Sequence, residues 1–385
     1  MKNLVNSTII TVCLLILSAG IACVRTEYNL DKPGNLAANT PKNAVYRIEN
    51  EWMQLENGLA EHPAAPGSAS KIKVMLVGEA TYSDLDYDRQ EDAVIVLTYQ
   101  GGGSGTFFYL AAALYENGKY SGTEGILLGD RIGSPAIKIN NGLITIEYLD
   151  RGHDEPMAAV PGILHTRYFI LKGARLTEIK PGNNETIYQG LLTLGHEVRS
   201  FLPCSERESL WLLGKSPALD TLIAEYDSTM ASFPPYTPVF TILAGYRLPP
   251  PEHGFGADFK EAFWASRLVH ISPKGNCRSD YITLDSLLPG ETIYSPLTIK
   301  GKARGTWFFE GDFPVILLDD QGKKVAESYV TAQGEWMTKN FVEFEGTIDF
   351  KPTYSGTRGT LVLKKDNPTG LPQFDDALEI PINIK

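Results

Sequence analysis

Four aspartates within ten residues form the densest run of potential ligands in the chain. In SDLDYDRQED, Asp84, Asp86, Asp88 and Asp92 stand at relative positions 1, 3, 5 and 9. A hard cation such as Ca²⁺ takes roughly six to eight oxygens, and alternate carboxylates on a tight loop can turn inward together to supply them. The pattern departs from an EF-hand at two places. Arg89 stands where the sharp turn usually has Gly, and Ile95 stands where that loop ends in a bidentate Glu. Two readings follow: a Ca²⁺ loop that is not an EF-hand, or a solvated acidic turn ahead of the apolar run Ala93 to Tyr99.

Other groups are less specific. Gly101-Gly102-Gly103-Ser104-Gly105 lacks the Gly-Lys-Ser/Thr and the following helix of a phosphate loop, so it reads as a hairpin connection. Ser68 and Lys71 fit S-x-x-K, in which a lysine can activate a serine. They sit in a Pro/Gly/Ala/Ser turn before a strand, without the partner motifs of penicillin-recognising enzymes. The six histidines are dispersed, with no H-E-x-x-H and no zinc spacing. His153-Asp154-Glu155 is a compact polar triplet, read as an exposed loop. No catalytic residue set emerges from the sequence.

The cysteines carry firmer information. An uncharged, largely apolar stretch follows Lys2 and ends at Gly20-Ile21-Ala22-Cys23, which reads as an export signal over residues 1–22. Lipidation of Cys23 comes first, although Gly20 stands where a lipobox normally has Leu; soluble release and an uncleaved anchor are the alternatives. Export places the remaining chain in an oxidising compartment, where Cys204 and Cys277 are expected to pair. That bond closes a loop of about 73 residues, worth roughly 4 kcal/mol in the chain-entropy model.

Charge narrows the partners. The chain has 35 basic and 46 acidic residues, a formal net charge of -11, and residues 1–22 contain only Lys2 among them. Nucleic acid is excluded as a natural partner, and membrane attachment needs the lipid or an anchor rather than a basic patch. At 385 residues the chain exceeds one ordinary core. The fold class expected is mainly β: an exported multidomain chain. A flexible tether over 23–43 leads into an N-terminal mixed β domain over 44–183. A disulfide-stapled OB-like barrel follows over 184–280, and an immunoglobulin-like β-sandwich covers 290–385.

Periodicity supports these divisions. Strand patterns run over Lys71 to Gly78, Ala93 to Tyr99, Thr106 to Leu114, Leu143 to Tyr148 and His165 to Leu171, and Asn57-Gly58 predicts a hairpin after Trp52 to Leu55. In the barrel, Ser216 is the expected cap of one helix whose buried face is Leu219, Leu222, Ile223, Tyr226 and Met230. Seven strands are expected at the C-terminus, among them Thr306 to Glu310.

Three resemblances add to this. The C-terminal segments SPLTIKGKARGTWFFEGDFPVILLDDQGK, GEWMTKNFVEFEGTIDF and GTLVLKKDNPTG resemble the immunoglobulin-like domain of bacterial spore-germination type, which implies an extracytoplasmic accessory module. GHEVRSFLPC, SLWLLG and PPYTPVFTILAGY resemble the OB-type domain of envelope lipoproteins akin to the copper-homeostasis lipoprotein. The copper association there goes with a C-x-x-C pair, which this chain lacks. The aspartate spacing is similar to the D-x-D-x-D-G-x-x-D loops of extracellular β proteins. The function expected is a non-catalytic envelope protein that binds or scaffolds an envelope protein or polymer. An envelope-polymer hydrolase and a Ca²⁺-dependent or metal-sensing envelope protein are the alternatives.

Overall fold

A computed structural model describes residues 39–351 and 357–385. The expected export signal, Cys23 and most of the tether lie outside the described residues. At the end of the tether stretch, Pro41–Asn43 form a 3-10 turn, and the Tyr46 hydroxyl donates to the Pro41 carbonyl at 2.8 Å. Among the described residues no helix is long and apolar enough to cross a membrane.

The first domain is built of three β layers. Strands β1 (Val45–Ile48) and β2 (Glu51–Gln54) form a ribbon. Next, β3 (Leu59–Pro63), β4 (Lys71–Ser83), β5 (Asp92–Gln100), β6 (Phe107–Glu116) and β7 (Lys119–Gly122) make an antiparallel sheet, with β8 (Ile126–Asp130) also on β6. A second sheet runs β9 (Gly133–Asn140), β10 (Leu143–Asp150), β11 (Ile163–Lys172) and β12 (Arg175–Ile179). The position of β5 explains its unbroken apolar run. Ala93, Ile95 and Leu97 pack with Tyr46, Met53 and Leu55 of the ribbon side, while Val94 and Val96 pack with Ile144, Ile146 and Phe169 of the second sheet. A strand covered on both faces has no solvent side on which to alternate.

The Asn57-Gly58 turn forms, with both residues at positive φ (53° and 86°), but it does not join a hairpin. Only the Glu56↔Leu59 bridge flanks it; β2 goes back to β1 and β3 goes on to β4. The turn chemistry was local, whereas the partners were set by Met53 and Leu55 entering the core with Tyr46.

The middle domain is a closed five-stranded barrel. Its strands are β13 (Thr186–Leu194), β14 (Arg199–Pro203), β15 (Leu210–Leu213), β16 (Val239–Leu248) and β17 (Ala262–Ser272), in spatial order β13-β14-β15-β17-β16. Only β15 and β17 run parallel. The crossover between β15 and β16 contains helix α1 (Ala218–Met230), whose Leu222, Tyr226 and Met230 enter the barrel core with Phe201, Leu212 and Phe263. Ser216 does not cap it. Pro217 is the N-cap residue, and the first-turn amides of Leu219 and Thr221 donate to the Lys215 and Pro217 carbonyls, so backbone acceptors take the place of a side-chain cap.

The C-terminal domain comprises β18 (Ile282–Leu284), β19 (Thr292–Ile293), β20 (Leu297–Arg304), β21 (Asp312–Asp319), β22 (Lys324–Ala332), β23 (Phe341–Ile348), β24 (Thr357–Lys364) and β25 (Ala377–Ile384). They follow one another in the order β18-β20-β23-β22-β21-β24-β25-β19 around a single core holding Trp307, Phe313, Phe344, Leu361 and Ile380. The strand expected over Thr306 to Glu310 is replaced by a 3-10 turn, Gly305–Trp307. Gly305 permits it: a Cβ there would lie 2.1 Å from the Trp336 carbonyl oxygen, and the resulting turn drops Trp307 into the core. Phe313 meets Phe344 edge to face at 4.9 Å, the geometry aromatic pairs favour.

Candidate functional site: an acidic loop at a three-domain junction

The aspartate loop joins β4 to β5, and Ser83 pairs with Asp92 where the two strands leave it. Each carboxylate organises backbone. Asp84 accepts the amides of Asp88 at 3.0 Å and Arg89 at 2.9 Å; Asp86 accepts the Asp88 amide at 3.1 Å; Asp88 accepts the Gln90 amide at 2.7 Å. These bonds hold Tyr87 and Arg89 at φ of 62° and 73°. Asp92 stands apart, with one oxygen on the Leu85 amide and the other on the Tyr115 amide, both at 2.9 Å.

Asp84, Asp86 and Asp88 each place an oxygen within 4.8 Å of the others, the one such group among the described residues. Asp92 is outside it. Burial pushes Asp84 up to about 7 against the pull of the Arg89 amide, and Asp86, Asp88 and Asp92 add to the rise. Asp92 is likewise pushed up to about 7 by burial, against the Tyr115 and Leu85 amides. The loop therefore carries close-set carboxylates whose charge is costly without a proton or a cation.

The loop also reaches into the barrel. The Tyr87 ring stacks on His270 at 4.8 Å and leans on Phe240 at 5.7 Å, and its hydroxyl donates to the Asn141 carbonyl at 3.0 Å. Burial, with Lys172 nearby, lowers His270 to about 4, so the stacking partner is a neutral imidazole at physiological pH. Leu143, Ile170 and Ile179 of the second sheet join Phe240, Ile242 and Val269 of the barrel in one apolar cluster around Tyr87.

Cys277 to Asp280 is where the three domains converge. Cys277 is bonded to Cys204, the pairing expected from the sequence. The Arg278 guanidinium donates to Asp376 of the sandwich at 2.5 Å and to the carbonyls of Cys277 at 2.8 Å and Cys204 at 3.4 Å. Asp280 accepts the Ser83 hydroxyl at 2.7 Å and the Asn141 amide at 2.5 Å, both from the first domain. Its carbonyl accepts Arg304 Nε at 3.0 Å, while Arg304 Nη2 reaches Glu91 of the acidic loop at 2.8 Å. Gln189 of the barrel donates to the Asn140 and Asn141 carbonyls at 2.7 and 3.1 Å.

Two cavities flank this junction, about 700 Å³ between barrel and sandwich and about 310 Å³ between first domain and sandwich. Asp84, Arg89, Ser279 and Thr283 line both. Asp280, Asn141, Arg278 and Arg304 are the junction residues that sequence patterns missed. The Asn141-Gly142 turn was the available signal, since its conformation (φ 44° and 78°) turns the Asn141 amide toward Asp280.

The other sequence candidates do not join the site. Ser68 Oγ accepts the Ser70 amide at 3.1 Å and Lys71 is paired with Glu61. His153, Asp154 and Glu155 lie on an exposed loop, where Glu155 accepts the Gly152 amide at 2.8 Å.

Among curated proteins none matches the chain. Residues 282–370 match the family model of the immunoglobulin-like domain of bacterial spore germination, a span that opens at β18 and includes the turn bearing Trp307. Over this span the chain is similar to the immunoglobulin-like domain of that family.

Proposed function

We propose that the chain is a non-catalytic binding or scaffolding protein of the cell envelope, holding three β domains as one unit and presenting their loops and sheet faces to an envelope protein or polymer. The observation that carries this reading is the fastening of residues 277–280 to all three domains at once. A fixed relative geometry is what presentation needs, and interfaces bound by polar pairs and an apolar cluster supply it. The Cys204–Cys277 bond and the immunoglobulin-like domain support a place outside the cytoplasm. Lipid at Cys23 completes the proposal as the anchor.

Hydrolysis of an envelope polymer is the competing reading, and the cleft side chains favour binding over it. Glu206 is committed to Arg247, Asp376 to Arg278, and both oxygens of Asp84 to backbone amides. Of the carboxylates that line this cleft Glu379 alone is without a partner among the described residues, and a two-carboxylate hydrolysis needs a second free carboxylate beside it.

Photo-crosslinking of the full chain in native envelopes, followed by identification of the adduct, tests the proposal. A discrete adduct, together with no release of soluble fragments from isolated envelope polymer by the purified protein, is expected. Fragment release that scales with protein concentration would overturn it.

A second reading rests on the convergence of Asp84, Asp86 and Asp88: Ca²⁺ held by these oxygens relieves their mutual repulsion and stiffens the loop that carries Tyr87 into the barrel.

A further inference from the structure

The larger cavity has a composition of its own. Its volume of about 700 Å³ is that of small-molecule sites, and it lies where domains meet, a preferred location for them. Leu191 and Leu202 of the barrel and Leu287 and Leu288 of the segment entering the sandwich line it half-buried, with Phe240 and Leu284 buried behind them. Five prolines, Pro203, Pro238, Pro273, Pro289 and Pro381, stand around it. Each fixes its own φ, so the walls are largely preformed.

The lining of this cavity is balanced in charge, five basic against five acidic side chains, on a chain with 35 basic and 46 acidic residues. Arg89, Arg207, Lys274 and Lys364 line the cavity, and none of these four side chains has an ion-pair or hydrogen-bond partner among the described residues. The acidic side chains nearby are mostly engaged. Glu206 is held by Arg247, Asp376 by Arg278, Asp84 by two amides, and Asp375 accepts the Asn367 amide group at 2.9 Å. Glu379 alone of these acidic side chains is without a partner among the described residues. A proline-walled concavity with leucines on one wall, lined by five basic and five acidic side chains with four of the basic ones unpaired among the described residues, is complementary to a molecule that is apolar in its body and negative at one end.

We propose that the cleft between the barrel and the C-terminal sandwich binds an anionic amphiphile, a small molecule with an apolar body and a phosphate, sulfonate or carboxylate group. The leucine-lined wall takes the body, and Arg207, Lys274, Lys364 and Arg89 take the anion. The inference goes beyond presentation to an envelope partner and does not depend on it, so a crosslinked partner without amphiphile binding, or the reverse, separates the two.

Isothermal titration of the full chain with decyl phosphate tests it, with decanol and inorganic phosphate as the body alone and the anion alone. One equivalent of decyl phosphate is expected to bind, at least ~10-fold more tightly than either fragment, because one charged contact is worth about a factor of ten. Lys274→Gln combined with Arg207→Gln is expected to weaken it by roughly tenfold or more. Leu191→Glu, which sets a carboxylate on the apolar wall, is expected to abolish binding, while Arg199→Gln outside the cleft leaves it unchanged. Thermal melting confirms that each variant is folded. No binding of decyl phosphate, equal binding of decanol, equal binding of inorganic phosphate, or a double charge variant within twofold of wild type would each overturn the proposal.

Discussion

At the scale of single residues the acidic loop is governed by burial. Asp84 is 7% exposed and Asp92 1% exposed, yet among the described residues neither has a cationic side chain bonded to it. Both are raised from 3.8 to about 7. Their folded values exceed the unfolded ones, so the folded state binds more protons between pH 4 and 7. Stability therefore falls as pH rises through that window. Melting temperature measured from pH 4.5 to 8 should decline toward neutrality, less steeply below pH 6.5 where His270, lowered to about 4, acts in the opposite sense, and Asp92→Asn should flatten the slope. Added Ca²⁺ at pH 7.5 should restore the lost stability if Asp84, Asp86 and Asp88 hold the ion; an unchanged melting temperature would sink that second reading. The aspartate spacing was legible because it is local. Asp280 was not, since its partners Ser83 and Asn141 are 197 and 139 residues away.

At the scale of elements, sequence pattern succeeded where one core decides a strand. The run Ala93 to Tyr99 became β5, and Leu143 to Tyr148 became β10, because their side chains fill the two cores of the first domain. It failed where tertiary contacts choose between local options. The Asn57-Gly58 turn kept its shape but lost its hairpin, and Thr306 to Glu310 gave way to a turn that seats Trp307. Short strands such as β7 (KYSG) and β19 (TI) carry too few apolar residues to register alone. Helix α1 was legible because Leu222, Tyr226 and Met230 repeat at helical spacing. Leu222→Ala removes a fully buried side chain from the barrel core and should cost about 2–4 kcal/mol. Ile223→Ala, at the partly exposed edge of that core, should cost clearly less; equal costs in denaturant unfolding would contradict the packing described.

At the scale of the whole molecule, the mainly β make-up of the sheets and barrel and the pairing of Cys204 with Cys277 were readable from the sequence. The joint of the three units was not. Residues 277–280 read as the end of the barrel and 281–289 as a connection, whereas Cys277 to Asp280 tie all three together and open two cavities beside the acidic loop. A fixed arrangement of the three units rests on that joint: Asp280 bonds the first domain, the Cys277 disulfide bonds the barrel and Arg278 bonds the sandwich. Loss of the Asp280 carboxylate leaves the Ser83 hydroxyl and the Asn141 amide without their acceptor at a buried interface, a cost of about 1–3 kcal/mol per group. The most direct measurement is scanning calorimetry of the full chain and of Asp280→Ala. A single cooperative transition in the wild type, split into separate transitions in the variant, is the predicted result. Separate domain transitions in the wild type, or a variant that melts as the wild type does, would contradict the account.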